Sequence, residues 1–549
     1  MKRALLVLVS TVALLLSNIS AQASEDETKY LWPPSYNSGD TTNQTLKGFT
    51  FTTVDENDQF GEGHSFIRTF GTVQPYCESF SDPFCLEEIG KGNQWWAGLV
   101  FPPCTSQYEL APCIAGVSVK DPDGKVEKLT LQRISSGITW PADLKIGLPK
   151  GSMPSLWEKT REKNSGYGYQ VSVFGGLSVG TSKSGSLSTI QRVQVRDFNA
   201  SIRRYSTKTG KFEPPTFKKL ANGRGFYGLI SPRQCIWITE TECGLLQEFN
   251  DTEIIELSIH VPKGLGNWLM GRLNEPRVSI VALPGRSNGI QYEKISISAK
   301  PVLVPLLTAK VELSSASQDL INDYENNEMC KSMGVCRGGY YGGITASNGE
   351  YVFDKFKKFE DYLEDKAAIM FPRWSVRSLL STEPSLSQCF GKNQESFSGI
   401  VTTNASIYIG APPIFNQGEF LYKVAGVHRM PSGEVFRGSY NLALTSKFAR
   451  CMYGFTEAPI RASIQVTSAE GEPQIATSSF AESQGWVYLS ASGFTFSQPE
   501  IKARLIQEIA SNPIVKAPVK RVLITCVKGK ISRKISGVAP KCPVGFKKK

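Results

Sequence analysis

"YQVSVFGGLSVG", residues 169–180, decides how the rest of the chain is read. Tyr169, Val171 and Val173 alternate with Gln170 and Ser172, the period of two that gives a strand one buried and one wet face. The pattern returns in "RVQVRDFNASIRRYSTKTGKF" (192–212), "EIIELSIHV" (253–261) and "QYEKISISAKPVLVPLL" (291–307). It continues in "RASIQVTSAEGEPQIATSSF" (461–480) and "GWVYLSASGFTFS" (485–497). Gly, Pro, Asn and Asp separate the runs, and "DPDG" (121–124), "KTG" (208–210) and "AEGEP" (469–473) read as hairpin turns. Many short strands split by turn residues predict antiparallel sandwiches. The expected fold class is mainly β: a multi-domain antiparallel β-sandwich (Ig-like) architecture with a small helical insert and a C-terminal disulfide-closed β-hairpin tail.

One stretch breaks the alternation. Gln318 to Cys330 and Val352 to Ala368 read as helical, the second with Phe353, Phe356, Tyr362 and Leu363 near one face. Such a face packs on a core far more often than on a membrane. The Gly- and Tyr-rich "CRGGYYGGITASNG" (336–349) reads as a loop between the two helices, and Pro372 is expected to end the second. These changes of pattern divide the chain into a signal peptide (1–23), an N-terminal β domain (24–135) and a β-sandwich domain (136–310). A helical insert or bridge (311–385), a C-terminal β-sandwich domain (386–511) and a basic Cys-pair tail (512–549) follow.

The leader has the parts of a secretory signal. Lys2 and Arg3 precede the apolar run Ala4 to Leu16, and Ala21-Gln22-Ala23 offers a small-residue cleavage site. The run falls short of the roughly 20 residues that span a bilayer. No later run is longer, so the mature chain is expected to be secreted and to have no transmembrane segment.

Twelve cysteines all follow that site: Cys77, Cys85, Cys104, Cys113, Cys235, Cys243, Cys330, Cys336, Cys389, Cys451, Cys526 and Cys542. An even count in an exported chain favours disulfides. Pairing in sequence order is the simplest expectation, although the sequence does not prove the connectivity. Zinc is disfavoured, because no C-x-x-C occurs and His64, His260 and His428 are the only histidines. No metal or other cofactor is expected.

The chain holds 61 basic and 50 acidic residues, but they are not spread evenly. Residues 516–549 contain eleven basics and no acid: Lys516, Lys520, Arg521, Lys528, Lys530, Arg533, Lys534, Lys541, Lys547, Lys548 and Lys549. With these and the two basics of the leader set aside, 48 basics face 50 acids, so a nearly neutral body carries a cationic end. Val522, Ile524 and Cys526 alternate with Leu523, Thr525 and Val527 as a half-buried strand does. Lys534 to Val538 is the candidate partner strand, and a Cys526–Cys542 bridge would close a hairpin too small to hold itself together. Crowded like charges call for an anionic partner. Only Phe546 interrupts the lysines, so no aromatic ladder for single-stranded nucleic acid is present, and specific nucleic-acid binding is not expected.

Catalytic motifs are weak. "GLSVG" (176–180) matches the G-x-S-x-G nucleophile elbow at Ser178, but the residues after it lead into a strand where an elbow needs a helix. A lone histidine in strand context is usually packed or at the surface. "DENDQFGEG" (55–63) offers oxygen ligands without the spacing of an EF-hand. Trp95 and Trp96 point to opposite faces of a strand, so at most one serves as a sugar platform; burial of one and partial exposure of the other is expected. A glycosidase needs two carboxylates about a bond, and no motif nominates a pair.

"GNWLMGRLNEPRVSI" (266–280), "ARCMYGFTEAP" (449–459), "GWVYLSASGFTFSQPEIKARLIQ" (485–507) and the tail resemble secreted actinobacterial proteins in which an ITCVKGK…PKCPxGF/YKKK basic Cys-pair module recurs after unrelated bodies. In that group a histidine stands where this chain has Met270, which argues against catalysis at that position. The resemblance implies a reusable terminal module and brings no activity with it. The expected function is an exported, non-enzymatic cell-surface or extracellular structural or binding protein. It would be retained at anionic cell-envelope polymers through Lys528, Lys530, Arg533, Lys534, Lys541, Lys547, Lys548 and Lys549. The alternatives are a secreted hydrolase of cell-wall or other polysaccharide and a carbohydrate-binding or adhesive module.

Overall fold

Tyr169, Val171 and Val173 are at most 1% exposed, and the strand that carries them runs from Tyr167 to Ser184. The computed structural model describes residues 48–54, 64–70, 76–137, 139–163, 165–184, 187–214, 217–219, 225–227, 235–250, 252–326, 340–345, 349–390, 396–456, 460–467, 474, 476–496, 499–507 and 521–549. The leader, the 55–63 loop, the 469–473 turn, Cys330 and Cys336 lie outside the described residues. Strands take up 55% of the structure and helices 11%, so the chain is mainly β.

Among the described residues, Tyr167–Ser184 belongs to a 16-stranded sheet. Its main path runs Phe66–Phe70, Gln94–Val100, Tyr167–Ser184, Asn199–Thr209, Ile369–Leu379, Trp268–Arg272, Gly399–Thr403, Gly438–Thr445, Trp486–Phe494, Thr477–Ser483. Neighbours on this path are antiparallel except Trp268–Arg272 and Gly399–Thr403, which run parallel. A five-stranded sheet, in the order Asn274–Ser287, Ile290–Lys300, Ile254–Pro262, Cys113–Lys120, Val126–Lys128, packs against it. Val117, Leu257, Ile259 and Ile297 of the smaller sheet share one core with Leu99, Val173, Ile202 and Trp374 of the larger. Each such aliphatic side chain stabilises the fold by roughly 1.5–3 kcal/mol when fully buried.

Turn chemistry is partly as expected. "DPDG" closes the hairpin Cys113–Lys120/Val126–Lys128: the Gly124 amide donates to the Asp121 carbonyl at 2.9 Å, and Gly124 sits at φ +85°. "KTG" is a correction. Lys208 and Thr209 end a strand whose partner is Glu242–Gln247, and the Gly210 amide donates to the Thr241 carbonyl, so no tight hairpin forms there.

Helices form at Gln318–Glu325 and Glu350–Phe359. The apolar face of the second packs Val352, Phe353, Phe356 and Phe359 onto Phe49 and Phe51 of a three-stranded sheet, with the Phe51 and Phe359 rings 5.0 Å apart. That face is core. The helix stops earlier than its sequence pattern suggests, giving way to a short 3-10 turn at Glu360–Tyr362. Glu364 and Asp365 then take left-handed φ of 52° and 50°, and the Asp365 carboxylate accepts from the His428 amide. Pro372 therefore ends nothing; it lies inside strand Ile369–Leu379, opposite Leu303.

Among the described residues, five disulfides join Cys77–Cys85, Cys104–Cys113, Cys235–Cys243, Cys389–Cys451 and Cys526–Cys542, pairing these cysteines in sequence order. Among the described residues no helix is long and apolar enough to cross a membrane. The chain forms two compact units, one reaching to Phe455 and taking in Ala462–Ile506, the other made of Thr456–Arg461 and Gln507–Lys549.

Candidate functional site

The small unit holds the cationic end. Val522–Lys528 pairs antiparallel with Ile531–Gly537, and Gly529, at φ +59°, lets the chain reverse between them. A third strand, Lys547–Lys548, was not legible in the sequence. It returns along the other side of Val522–Lys528, placing Lys548 opposite Cys526 and Lys547 opposite Val527, and the Lys549 amide donates to the Thr525 carbonyl at 2.9 Å. Residues directly opposite each other share a face of a sheet. One face carries Ile524, Cys526, Ile535 and Arg533. There Ile524 is 6% exposed, Cys526 is bridged to Cys542, and the Arg533 guanidinium lies 5.4 Å over the Phe546 ring.

The opposite face carries Thr525 and Val527 with lysines on both flanks. Lys534 is opposite Thr525 on one neighbouring strand; Lys547 and Lys549 come from the other. All three are exposed. Strand spacing of about 4.8 Å places Lys534 and Lys549 about 10 Å apart across Thr525, a span that one polyanion strand bridges with successive charges. Lys528, Lys530 and Lys541 are exposed at the turn and beside Cys542. The disulfide fixes this arrangement in a segment with almost no core of its own.

The large unit has a cleft of about 640 Å³, within the size range of ligand sites. Ser178, Gln194, Arg196, Lys263, Gln291 and Tyr292 line it, and neither a carboxylate nor a histidine is among the described residues of its wall. Ser178 is exposed in mid-strand, opposite Gln194 of Leu187–Val195. Strand runs into strand there, so "GLSVG" is no elbow. The nearest buried acid in sequence, Glu293, alternates away from Tyr292. It is 3% exposed and accepts from the Ser396 hydroxyl at 2.7 Å, and burial pushes its carboxyl above the usual range against the pull of Ser396 and Lys263. Arg196 and Lys263 carry no local motif; only the packing of the sheets brings them to one wall.

Each histidine has a different setting. His64 is 2% exposed, packed beside Phe66 and Tyr76. His428 is half-exposed, with Nδ1 2.8 Å from an Asp365 carboxylate oxygen. His260 is fully buried, with Nδ1 2.8 Å from the Glu109 carbonyl and 3.7 Å from Cys104 Sγ. Cys104, Cys113 and His260 lie close enough to hold a metal ion, but the two sulfurs are spent on their disulfide, and a disulfide sulfur is not the thiolate zinc needs. Trp95 and Trp96 are both half-buried. Trp95 packs on Phe80, and the Arg68 guanidinium lies 3.4 Å over the Trp96 ring, so neither presents a bare platform for a sugar.

Burial holds the His260 imidazole below its ordinary value of 6.5, with Lys294 adding to the effect and the Glu109 carbonyl opposing it. The folded form then binds fewer protons than the unfolded chain just below pH 6.5, so stability is full above that value and falls as pH drops. Urea midpoints for the natural chain and His260→Gln should converge as pH is lowered from about 7.5 to about 5.5. A gap between them that stays constant with pH rejects a titrating His260.

Comparison with protein-family models, with curated proteins and with solved structures finds no match to this chain. The reading of function therefore rests on its own geometry.

Proposed function

We propose that this is an exported, non-catalytic, disulfide-stapled β protein retained at anionic polymers of the cell envelope by its terminal sheet. One observation carries the reading: Lys534, Lys547 and Lys549 crowd around Thr525 and Val527 on one open face, held there by pairing with a single strand. Like charges so placed repel one another, and a polyanion relieves that repulsion while gaining three ammonium contacts. The acid-free sequence of residues 516–549 and a body near charge balance point the same way. The five disulfides suit an oxidising compartment.

The test is retention on intact cells or isolated walls. The natural chain should wash off as salt rises toward 1 M, where the Debye length shrinks to about 3 Å. A chain lacking 516–549, and one carrying Lys534→Gln, Lys547→Gln and Lys549→Gln together, should appear in the medium without a salt wash. Retention of the shortened chain would move the tether into the body, and retention of the natural chain at 1 M salt rules out simple charge attraction.

A further inference from the structure

Thr477–Ser483 is the last strand on one side of the 16-stranded sheet, and its one neighbour among the described residues is Trp486–Phe494. A free strand edge invites any extended chain to pair, and proteins block it with lysine, proline, bulges, brevity or a covering loop. The other end of this sheet's main path and both ends of the five-stranded sheet are blocked in these ways. Phe66–Phe70 is bridged at Arg68 to Tyr76, and its Ile67 carbonyl accepts from the Cys77 amide at 2.7 Å. Asn274–Ser287 carries Pro276, Arg277, Pro284 and Arg286 and shifts register twice, and Val126–Lys128 is three residues long. "TSSFAES" has no proline, no cation and no shift in register. Its one charge, Glu482, is held by the Arg450 guanidinium at 2.7 Å and the Ser446 hydroxyl at 2.8 Å.

The turn fixes which groups face outward. Gln484 and Gly485 have φ of 52° and 77°, the two positive values of a type I′ turn, so Ser483 and Trp486 exchange both of their backbone bonds. Bonding to the neighbour recurs at every second residue, which leaves the N–H and C=O of Ser478, Phe480 and Glu482 pointing away from the sheet. Among the described residues no backbone group meets them. Two copies of this strand fit each other antiparallel about Phe480. Each Phe480 then lies opposite its counterpart, and Ser478 lies opposite Glu482 of the second copy, a hydroxyl donor against a carboxylate. Parallel pairing in register would set Glu482 against Glu482, which like charges disfavour.

We propose that Thr477–Ser483 pairs with the same strand of a second copy of this chain, antiparallel and centred on Phe480, so that the two large sheets become continuous. The pairing uses up this edge on both copies and closes at a dimer. Stable interfaces bury about 1,200–2,000 Å², and a single strand is small beside that, so the dimer forms and dissociates with concentration.

Sedimentation equilibrium of the full chain tests it. The average mass should climb with concentration from that of one chain towards that of two and stop there. Phe480→Pro removes an N–H that bonds only across the dimer, so it should raise the dissociation constant about tenfold or more. Phe480→Cys puts two sulfurs on directly opposite residues with Cα atoms about 5.5 Å apart, within disulfide reach, so mild oxidation should give a covalent dimer. Ser479→Cys, which would face Ala481 of the second copy, should not. A chain that is monomeric at every concentration, as it would be with another segment of its own covering the edge, overturns the proposal. So does a mass that passes two chains, or a dimer that cross-links no better at 480 than at 479. The mass measurement uses the natural chain and stands even if the proline variant does not fold.

Discussion

Replacing Lys159 by methionine is expected to remove about 3–5 kcal/mol of stability, the range for stripping one partner from a buried ion pair. Lys159 is 1% exposed, and its ammonium lies 2.7 Å from Glu253 and 3.2 Å from Asp121. Glu253 is equally buried and also accepts from the Tyr169 hydroxyl at 2.6 Å. Burial works to raise the Asp121 carboxyl, but Lys159 and Arg161 outweigh it and hold the group below its ordinary value. Burial and the Glu253 charge push the Tyr169 hydroxyl far up, so it remains a donor. Without Lys159, Glu253 keeps one neutral donor and a full charge with no water to solvate it. Adding Glu253→Gln removes that charge, so the double variant should regain much of the loss. Urea midpoints of the natural chain, the single and the double variant measure it. A single variant within about 1 kcal/mol of the natural chain, the scale of an exposed pair, would show that water reaches the cluster.

Removing the Cys389–Cys451 bridge is expected to lower stability by about 4 kcal/mol on the chain-entropy estimate, the largest value for any of the five disulfides. These two cysteines lie 62 residues apart, against 16 for Cys526–Cys542 and 8 or 9 for the other three. The bridge fastens the segment after the short helix Pro384–Ser387 to the helix Ser446–Tyr453. Cys389 itself is 2% exposed, so the replacement must be small and apolar. Cys389→Ala with Cys451→Ala is the variant, and its unfolding curve is compared with that of Cys77→Ala with Cys85→Ala. The first should lose more. An equal loss would mean that native packing around the bridges, and not loop length, sets their contribution.

What could be read from the sequence was local. Tyr169, Val171 and Val173 announce a strand because they alternate with the polar Gln170 and Ser172, even though Gln170 is itself buried, and "DPDG" announces a turn because Gly124 must take a positive φ. Ile369–Leu379 gave the opposite impression. Its residues Phe371 to Val376 are all buried, so no alternation marks them, and Pro372 and Arg373 suggest a break. The charge of the tail was plain from lysine and arginine alone, yet a two-residue strand has no period by which to be recognised. The cleft wall and the Lys159–Glu253 pair unite residues 67 and 94 positions apart in the sequence, and no window along the chain shows such meetings.

Ile369–Leu379 also governs the order in which the molecule can assemble. It is hydrogen-bonded to Asn199–Thr209 on one side and to Trp268–Arg272 on the other, so it is the seam between two halves of the large sheet. Until it arrives, both earlier strands present raw edges able to pair with any extended chain. Closure across more than a hundred residues is slow. As the chain is made, its first two-thirds must emerge and wait with those edges bare, and guarding them against stray pairing falls to whatever folding helpers meet the unfinished polypeptide.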